Sequence, residues 1–480
     1  MEFQHYINGQ WTASSDGQTM PVVSPATGEV VAVVAKGTRD DVGRAVAAAR
    51  AAQPAFQKLT AFERADLCHK VADEITKRRE ALAKHLALEQ GKPMQAEAFG
   101  EVDTTAKMWR MAAEDAKRLE GTSPQTEDRR KRIVTIRQPR GVVGAITPWN
   151  FPLAIPTEYL APGLVTGNAL VWCPAPTVAG LACLLMECIA AAGVPAGIVN
   201  LVTGEGAVVG DEIAGHPGIA MVGFTGSSAT GSLVGKRAAG KPSLLELGGN
   251  APTLVFADAD IKRAAESAGR GAIWNAGQIC DSTERILVHR KIHDEFMHEL
   301  LKVVAEFKLG HPLEATTTLG PMHTAREIVR IESHLADAAK QGAKIVVGGK
   351  KAEGLPTGNY FPATVVDGVR PEMLLNHEET FGPVAAVLTF DDEDEAVRIA
   401  HGSPTGLAAA VFTSDVGRGF RLGEQLQYGI VNINEGSAYW QLHTPFGGYS
   451  GKTSGHGRLG GRYTLEEMTC VKQIVFDIGG

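Results

Sequence analysis

The 480-residue chain is poor in cysteine: Cys68, Cys173, Cys183, Cys188, Cys280 and Cys470 are all it has, and no two form a C-x-x-C pair. That excludes a disulfide framework and points to free thiols in a reducing compartment, so a cytoplasmic location is expected. An apolar N-terminal core is missing too. The opening residues, MEFQHYINGQW, are polar and do not read as a signal peptide. Long apolar runs are absent: the most apolar helical stretch, 178–195, is interrupted by Glu187, and no membrane span is expected. Neither sign of charge dominates. The 47 Lys+Arg against 54 Asp+Glu leave a net charge of -7 spread along the chain, which argues against a nucleic-acid partner. No H-E-x-x-H, G-x-S-x-G or zinc-type spacing occurs, and no metal is expected. Cys183 and Cys188 fall on one apolar helical stretch and read as buried thiols. Gly451-Lys452-Thr453 resembles the end of a P-loop, but Phe446 stands where its first glycine belongs.

What is present is ordinary globular sequence, 44% apolar and 21% charged, long enough for two or three domains. The 55 glycines suit a fold with many tight strand-to-helix turns. Residues 1–37 read as short strands and turns. Amphipathic helices follow from about Arg39, with Thr38 as N-cap, over 62–89, ended by Gly91 and Pro93, and over 96–119. The charged run TEDRRKRIV, 125–133, reads as a protruding hairpin. Over 141–256 apolar strands (142–146, 169–172, 198–202, 220–224, 253–256) alternate with helical runs (156–165, 177–192, 207–214, 229–239). That alternation predicts βαβ units and a parallel sheet buried on both faces, with a nucleotide at the carboxyl ends of its strands. A second alternating region, 260–434, predicts a second α/β domain. The last strand, within 469–477, needs an edge to pair with, either the charged hairpin or a neighbouring subunit.

Two stretches carry chemistry. Asn275-Ala276-Gly277-Gln278-Ile279-Cys280 sets a thiol after a small turn flanked by amides, and Leu245-Glu246-Leu247-Gly248-Gly249-Asn250 sets a carboxyl beside a Gly-Gly turn. A lone cysteine is more often core than nucleophile, so its surroundings decide. Pro148-Trp149-Asn150-Phe151-Pro152 follows a predicted strand and offers an amide donor. Phe224-Thr225-Gly226-Ser227 lies where a strand turns into a helix, which suits a phosphate or a carboxamide as well as a plain turn. The glycines at Gly204, Gly206 and Gly210 miss the dinucleotide spacing by one residue. Glu378-Glu379-Thr380-Phe381-Gly382-Pro383 opens another strand, and Pro445-Phe446-Gly447-Gly448 forms a rigid loop with Ser454-Gly455-His456-Gly457-Arg458 beyond it.

Together these stretches resemble the aldehyde dehydrogenase superfamily, hydrolytic and not CoA-acylating, over residues 1 to 480. The resemblance implies an α/β fold with a Rossmann-like parallel-sheet cofactor domain (1–120 and 140–247) and a second α/β catalytic domain (248–448). It adds a small β oligomerisation element, a hairpin plus C-terminal strand (121–139 and 463–480), in a homodimer or homotetramer. It implies that the Cys280 thiolate attacks an aldehyde. Asn150 and the nucleophile's own N–H would hold the oxyanion. Glu246 would activate the water that hydrolyses the thioester. The presence of Glu246 favours a free acid as product over an acyl-coenzyme A. Ile146, Thr147, Pro148, Trp149, Phe224, Gly226, Ser227 and Gly248 would contact NAD or NADP, with Glu379 on the nicotinamide ribose and Phe381 beside it.

One departure bears on the cofactor. The family's Lys-Pro-x-Glu, which contacts the adenosine ribose, is Cys173-Pro174-Ala175-Pro176 here. Losing the carboxylate removes a repulsion against a 2′-phosphate, and losing the lysine removes an attraction. Weaker or unusual cofactor binding is expected, with NAD slightly favoured. Phe151, Glu158, Trp274, Asp281, Trp440 and Phe446 would line the aldehyde passage. Trp274 and Trp440 resemble the aromatic box of betaine-aldehyde and aminoaldehyde dehydrogenases, and Glu158 and Asp281 add negative charge. Each ring facing a cation contributes about 0.5–2 kcal/mol. The expected substrate is therefore a cationic, aromatic or polar aldehyde, against a generic apolar tunnel that the tryptophans merely narrow. A semialdehyde dehydrogenase, or a binding or structural relative that has lost turnover, are the alternatives.

Overall fold

The structure, a computed structural model, describes residues 1–479; residue 480, the end of the expected 463–480 element, lies outside them. Two large sheets organise it. The first has eight strands in the spatial order Gly455–His456, Ser243–Glu246, Met221–Thr225, Val142–Thr147, Ala169–Pro174, Val199–Leu201, His5–Ile7 and Gln10–Thr12. The five from Ser243–Glu246 to Val199–Leu201 run parallel. The sequence shows why: the residues of Val142–Thr147 and Ala169–Pro174 are all buried, as strands covered by helices on both faces must be. From Val142–Thr147 the chain steps outward through Ala169–Pro174 to Val199–Leu201, then returns to the other side as Met221–Thr225. The direction of winding thus reverses at Val142–Thr147, and a crevice opens beyond the carboxyl ends of the strands there.

The second sheet has seven strands in the order Lys344–Val347, Thr364–Asp367, Val384–Phe390, Thr283–His289, Ala251–Val255, Ala408–Phe412 and Ile430–Ile433. All are parallel except the first. Each large sheet has its own apolar core. The fold is therefore α/β with parallel sheets, as the alternating pattern implies.

The terminal strand Thr469–Asp477 pairs antiparallel with Lys131–Pro139, from Thr469 opposite Pro139 to Asp477 opposite Lys131. The charged stretch is thus its partner. The chain also doubles back before that strand, where the Thr135 N–H donates to the Thr122 carbonyl at 2.8 Å. The helix expected over 62–89 is two, Ala61–Lys77 and Arg79–Glu89, broken at Arg78 with φ -101° and ψ 16°. Val71, Ile75, Leu82 and Leu86 are buried on both sides of the break, so the apolar stripe hides it. Thr38 and Thr60 each begin a helix with a capping box, closed by Asp41 and Glu63. The helix expected over 96–119 is Phe99–Ala116, preceded by a π turn at Met94–Ala98. Among the described residues no helix is long and apolar enough to cross a membrane.

Candidate active site

A cleft of about 1020 Å³ lies at the carboxyl ends of the eight-stranded sheet. Cys280, Glu246 and Asn150 share its wall with Ile146, Thr147, Pro148, Trp149, Phe224, Gly226, Ser227, Gly248, Glu379 and Phe381. Strands aim most of these: Val142–Thr147 ends at the Asn150 loop, Met221–Thr225 at Gly226, and Ser243–Glu246 at Glu246 itself. Thr225 and Glu246 lie opposite one another on adjacent parallel strands.

The thiol comes from the other sheet. After the helix Ile261–Ile273 the chain turns through Asn275 (φ 50°), Ala276 (φ 55°) and Gly277 (φ 69°), all left-handed. The left-handed conformation costs a non-glycine residue roughly 1–2 kcal/mol, so something must hold this turn. Buried amides do. The Asn275 side chain donates to the carbonyls of Asn150 and Gln278, each at 3.2 Å, and accepts from Gln90 at 3.2 Å. The Gln278 amide donates to the Asn275 carbonyl at 2.9 Å and accepts the His323 N–H at 2.9 Å. At Gly277 a Cβ would lie 2.0 Å from the Gly382 carbonyl, so no side chain fits. Asn150 is tied to the same turn: its side-chain amide donates to the Gln278 carbonyl at 3.0 Å. Its carbonyl also accepts from the buried ammonium of Lys92 at 2.8 Å.

Charge in the site is negative and desolvated. Burial first, then Asp281 and Glu246, holds the Cys280 thiol well above the ordinary range. Burial and then Glu158 raise the Glu246 carboxyl well above its own, against a lowering by Arg458. Neither carboxyl oxygen of Glu246 has a hydrogen-bond partner among the described residues. At Gly447 a Cβ would lie 2.9 Å from both Glu246 Oε1 and Arg458 Nη1, so glycine leaves the space between them open. Burial and Asp281 push Glu158 up to about 8, and burial pushes Asp281 up to about 7. Glu379 is also raised by burial, and its Oε1 accepts the Gly249 N–H at 2.9 Å. A Cβ at Gly248 would lie 2.5 Å from Glu379 Oε2, so the Gly-Gly turn makes room for that carboxyl.

Phe151, Glu158, Trp274, Asp281, Trp440 and Phe446 are not on the wall of the cleft. Phe151 and Trp440 pack with Cys280 against one apolar core. Trp274 pairs edge-on with Phe151 at 6.0 Å and Trp440 is tilted against Phe446 at 5.1 Å, so each tryptophan packs on a phenylalanine. Cys173, Pro174, Ala175 and Pro176 do line the cleft, where the sequence departs from the family pattern. Sequence reasoning missed Arg326 and Arg330, which also line it from one face of the helix Ala325–Lys340. It missed His323, stacked on Trp149 at 4.3 Å, and the carboxyl of Glu284. For Glu284 a signal existed: with Arg285 it puts two adjacent charges in a strand whose other residues are mostly apolar. No cluster of three or more His, Cys, Asp or Glu side chains fit to hold a metal occurs among the described residues.

A thiol, a desolvated carboxyl and an amide thus stand beside a crevice at the switch point of a parallel sheet, where such sheets bind their ligands. The sequence profile of the aldehyde dehydrogenase family matches residues 11–474. The glutarate-semialdehyde dehydrogenase of Pseudomonas putida is 39% identical over 477 residues, covering 99% of this chain and 98% of its own. The NADP(+) succinate-semialdehyde dehydrogenase GabD of Escherichia coli is 39% identical over 471 residues, covering 98% of this chain and 96% of its own. The crystal structure of betaine aldehyde dehydrogenase from Staphylococcus aureus in complex with NAD+ matches with a TM-score of 0.95 at 35% identity, over 99% of this chain and 95% of that one. The chain belongs to the aldehyde dehydrogenase family and, by that membership, is an NAD(P)-dependent aldehyde dehydrogenase.

Proposed function

We propose that this protein oxidises an aldehyde to a carboxylic acid through a thioester on Cys280, and that Glu246 serves its hydrolysis. The observation that carries this reading is the meeting of Cys280, Glu246 and Asn150 on one wall, with both Glu246 oxygens unpartnered. The cleft fits a dinucleotide. It lies at the switch point, the Gly248–Gly249 turn admits a carboxyl beside it, and Ser227 caps the helix Ser228–Arg237 that opens onto it. When bound there, NAD or NADP supplies the hydride acceptor. As the sulfur of Cys280 forms the C–S bond to the aldehyde carbon, its thiol proton passes to the neighbouring carboxylate of Glu246, which returns it to solvent before hydrolysis. The developing oxyanion takes N–H donors from Asn150 and from the Cys280 backbone. The acyl group then rests on sulfur, and Glu246 removes a proton from the attacking water as the thiolate leaves. Because burial raises Glu246, the base is competent only as pH rises toward its elevated value.

The substrate follows from charge. Glu158 and Asp281 are two carboxyls close enough to the Cys280 thiol to raise it. Above about pH 7 to 8, where both are charged, an aldehyde carrying a further carboxylate would add repulsion, and a cationic or neutral polar aldehyde would not. We therefore assign a cationic or polar aldehyde. A semialdehyde is the second reading, favoured by relatives such as the glutarate- and succinate-semialdehyde dehydrogenases. Assay of an ω-aminoaldehyde, betaine aldehyde, succinic semialdehyde and a straight-chain alkanal with both cofactors separates the two. Higher kcat/KM for the cations supports the assignment, and higher kcat/KM for the semialdehyde overturns it.

The two large sheets support the division into a dinucleotide-binding part (1–120 and 140–247) and a catalytic part (248–448). The strand pair Lys131–Pro139 and Thr469–Asp477 leaves Val471, Val475 and Phe476 exposed, which supports assembly of copies through that element.

A further inference from the structure

Four residues beyond the thiol, Glu284 is buried on the strand Thr283–His289, and burial first, then Glu379, raises its carboxyl. Its two oxygens are spent separately. Oε2 accepts the Thr380 N–H at 2.5 Å and Oε1 accepts the Phe381 N–H at 2.7 Å. Phe381 has φ 52°, a left-handed conformation that a bulky aromatic rarely adopts. Around it, Arg330 Nε donates to the Thr380 carbonyl at 2.9 Å, His334 Nδ1 meets Thr380 Oγ1 at 3.1 Å, and Trp149 meets the Phe381 ring edge-on at 5.7 Å. These contacts hold the carbonyl, the hydroxyl and the ring. Only Glu284 holds the two successive N–H groups that the left-handed turn presents.

We propose that Glu284 is a positioning residue for cofactor binding: its carboxyl, by accepting both N–H groups on its two oxygens, fixes Phe381 in its left-handed conformation and so sets the direction from which Glu379 enters the cleft. Because Glu284 and Cys280 belong to one short stretch leading into one strand, the thiol and the cofactor clamp are keyed to a single rigid element. The proposal rests on the assignment of Glu379 and Phe381 to the cofactor.

The test compares Glu284→Gln, Glu284→Asp and Glu379→Gln. Cofactor KM and kcat are measured at saturating aldehyde, Cys280 alkylation by iodoacetamide without cofactor, and the thermal midpoint. An amide offers one acceptor and one donor to two N–H donors, so Glu284→Gln strands one of them. Cofactor KM should rise about tenfold, with kcat at saturation and alkylation rate close to the parent and the midpoint lowered by no more than one lost buried hydrogen bond. Glu284→Asp keeps a carboxyl with two acceptor oxygens on a shorter stem and should show a smaller rise, and it carries the test if the glutamine variant does not fold. An unchanged cofactor KM in both variants, or losses of alkylation rate and midpoint in step with it, overturns the proposal. An unchanged cofactor KM in Glu379→Gln would instead overturn the cofactor reading on which the proposal rests.

Discussion

The side-chain amide of Asn150 reaches across the mouth of the eight-stranded sheet to the Gln278 carbonyl, 3.0 Å away and two residues before the thiol. One N–H of the amide is thereby committed to holding the cysteine turn, and the proposed mechanism gives the other to the oxyanion. Asn150→Ala should lower the rate of NAD(P)H release in a single turnover by about 10²–10³. The Asn275 bond to the Gln278 carbonyl survives the change. Iodoacetamide should therefore alkylate Cys280 in the variant at close to the parent rate, which separates loss of the donor from collapse of the turn.

The cleft wall at Cys173, Pro174, Ala175 and Pro176 carries no charge. Pro176→Glu places a carboxylate where a 2′-phosphate would meet repulsion. The ratio of kcat/KM for NADP to that for NAD should fall by about tenfold, the effect of roughly 1.4 kcal/mol of discrimination. Steady-state kinetics with both cofactors checks it.

Glu158, at about 8, and Asp281, at about 7, are neutral below those values and charged above them. A cationic aldehyde should therefore gain on a neutral one as pH rises through about 7 to 8. In Glu158→Gln combined with Asp281→Asn that gain should vanish. Ratios of kcat/KM for an ω-aminoaldehyde and an alkanal, taken across the range, measure it.

Glu89 sits at the end of the helix Arg79–Glu89, accepting the Leu181 N–H at 2.9 Å, and burial pushes it up to about 8. A folded value raised above the unfolded one means that its contribution is full below about pH 4.3, the unfolded value, and is lost as pH rises through the folded value. Glu89→Gln keeps an acceptor and cannot ionise. Its thermal midpoint should gain on the parent as pH rises from about 4.3 to about 8 and level off above, and a constant difference would refute the assignment.

Much of this was legible in the sequence because buried parallel strands have no polar face to hide. Val142–Thr147 and Ala169–Pro174 read as apolar runs, whereas the short strand Ser243–Glu246 before the Gly-Gly turn did not, and the cysteine turn follows a helix. What was not legible depends on neighbours remote in the chain. Lys92 reads as part of a Gly-Lys-Pro helix stop, yet its ammonium is buried between Glu101 and the Asn150 carbonyl. The break at Arg78 leaves the apolar spacing intact, so periodicity passes over it. Glu284 carries no local sign that its partners lie at 380 and 381.

The central claim is that acyl transfer to water follows oxidation on one sulfur, with Glu246 as the base. It is tested most directly by mixing the Glu246→Gln variant with aldehyde and NAD(P) and digesting it for mass spectrometry. The account predicts one NAD(P)H per site, a steady rate lowered by about 10²–10⁴, and an acyl group on the peptide containing Cys280. Parent-like turnover with an unmodified Cys280, or acylation of another side chain, would contradict it.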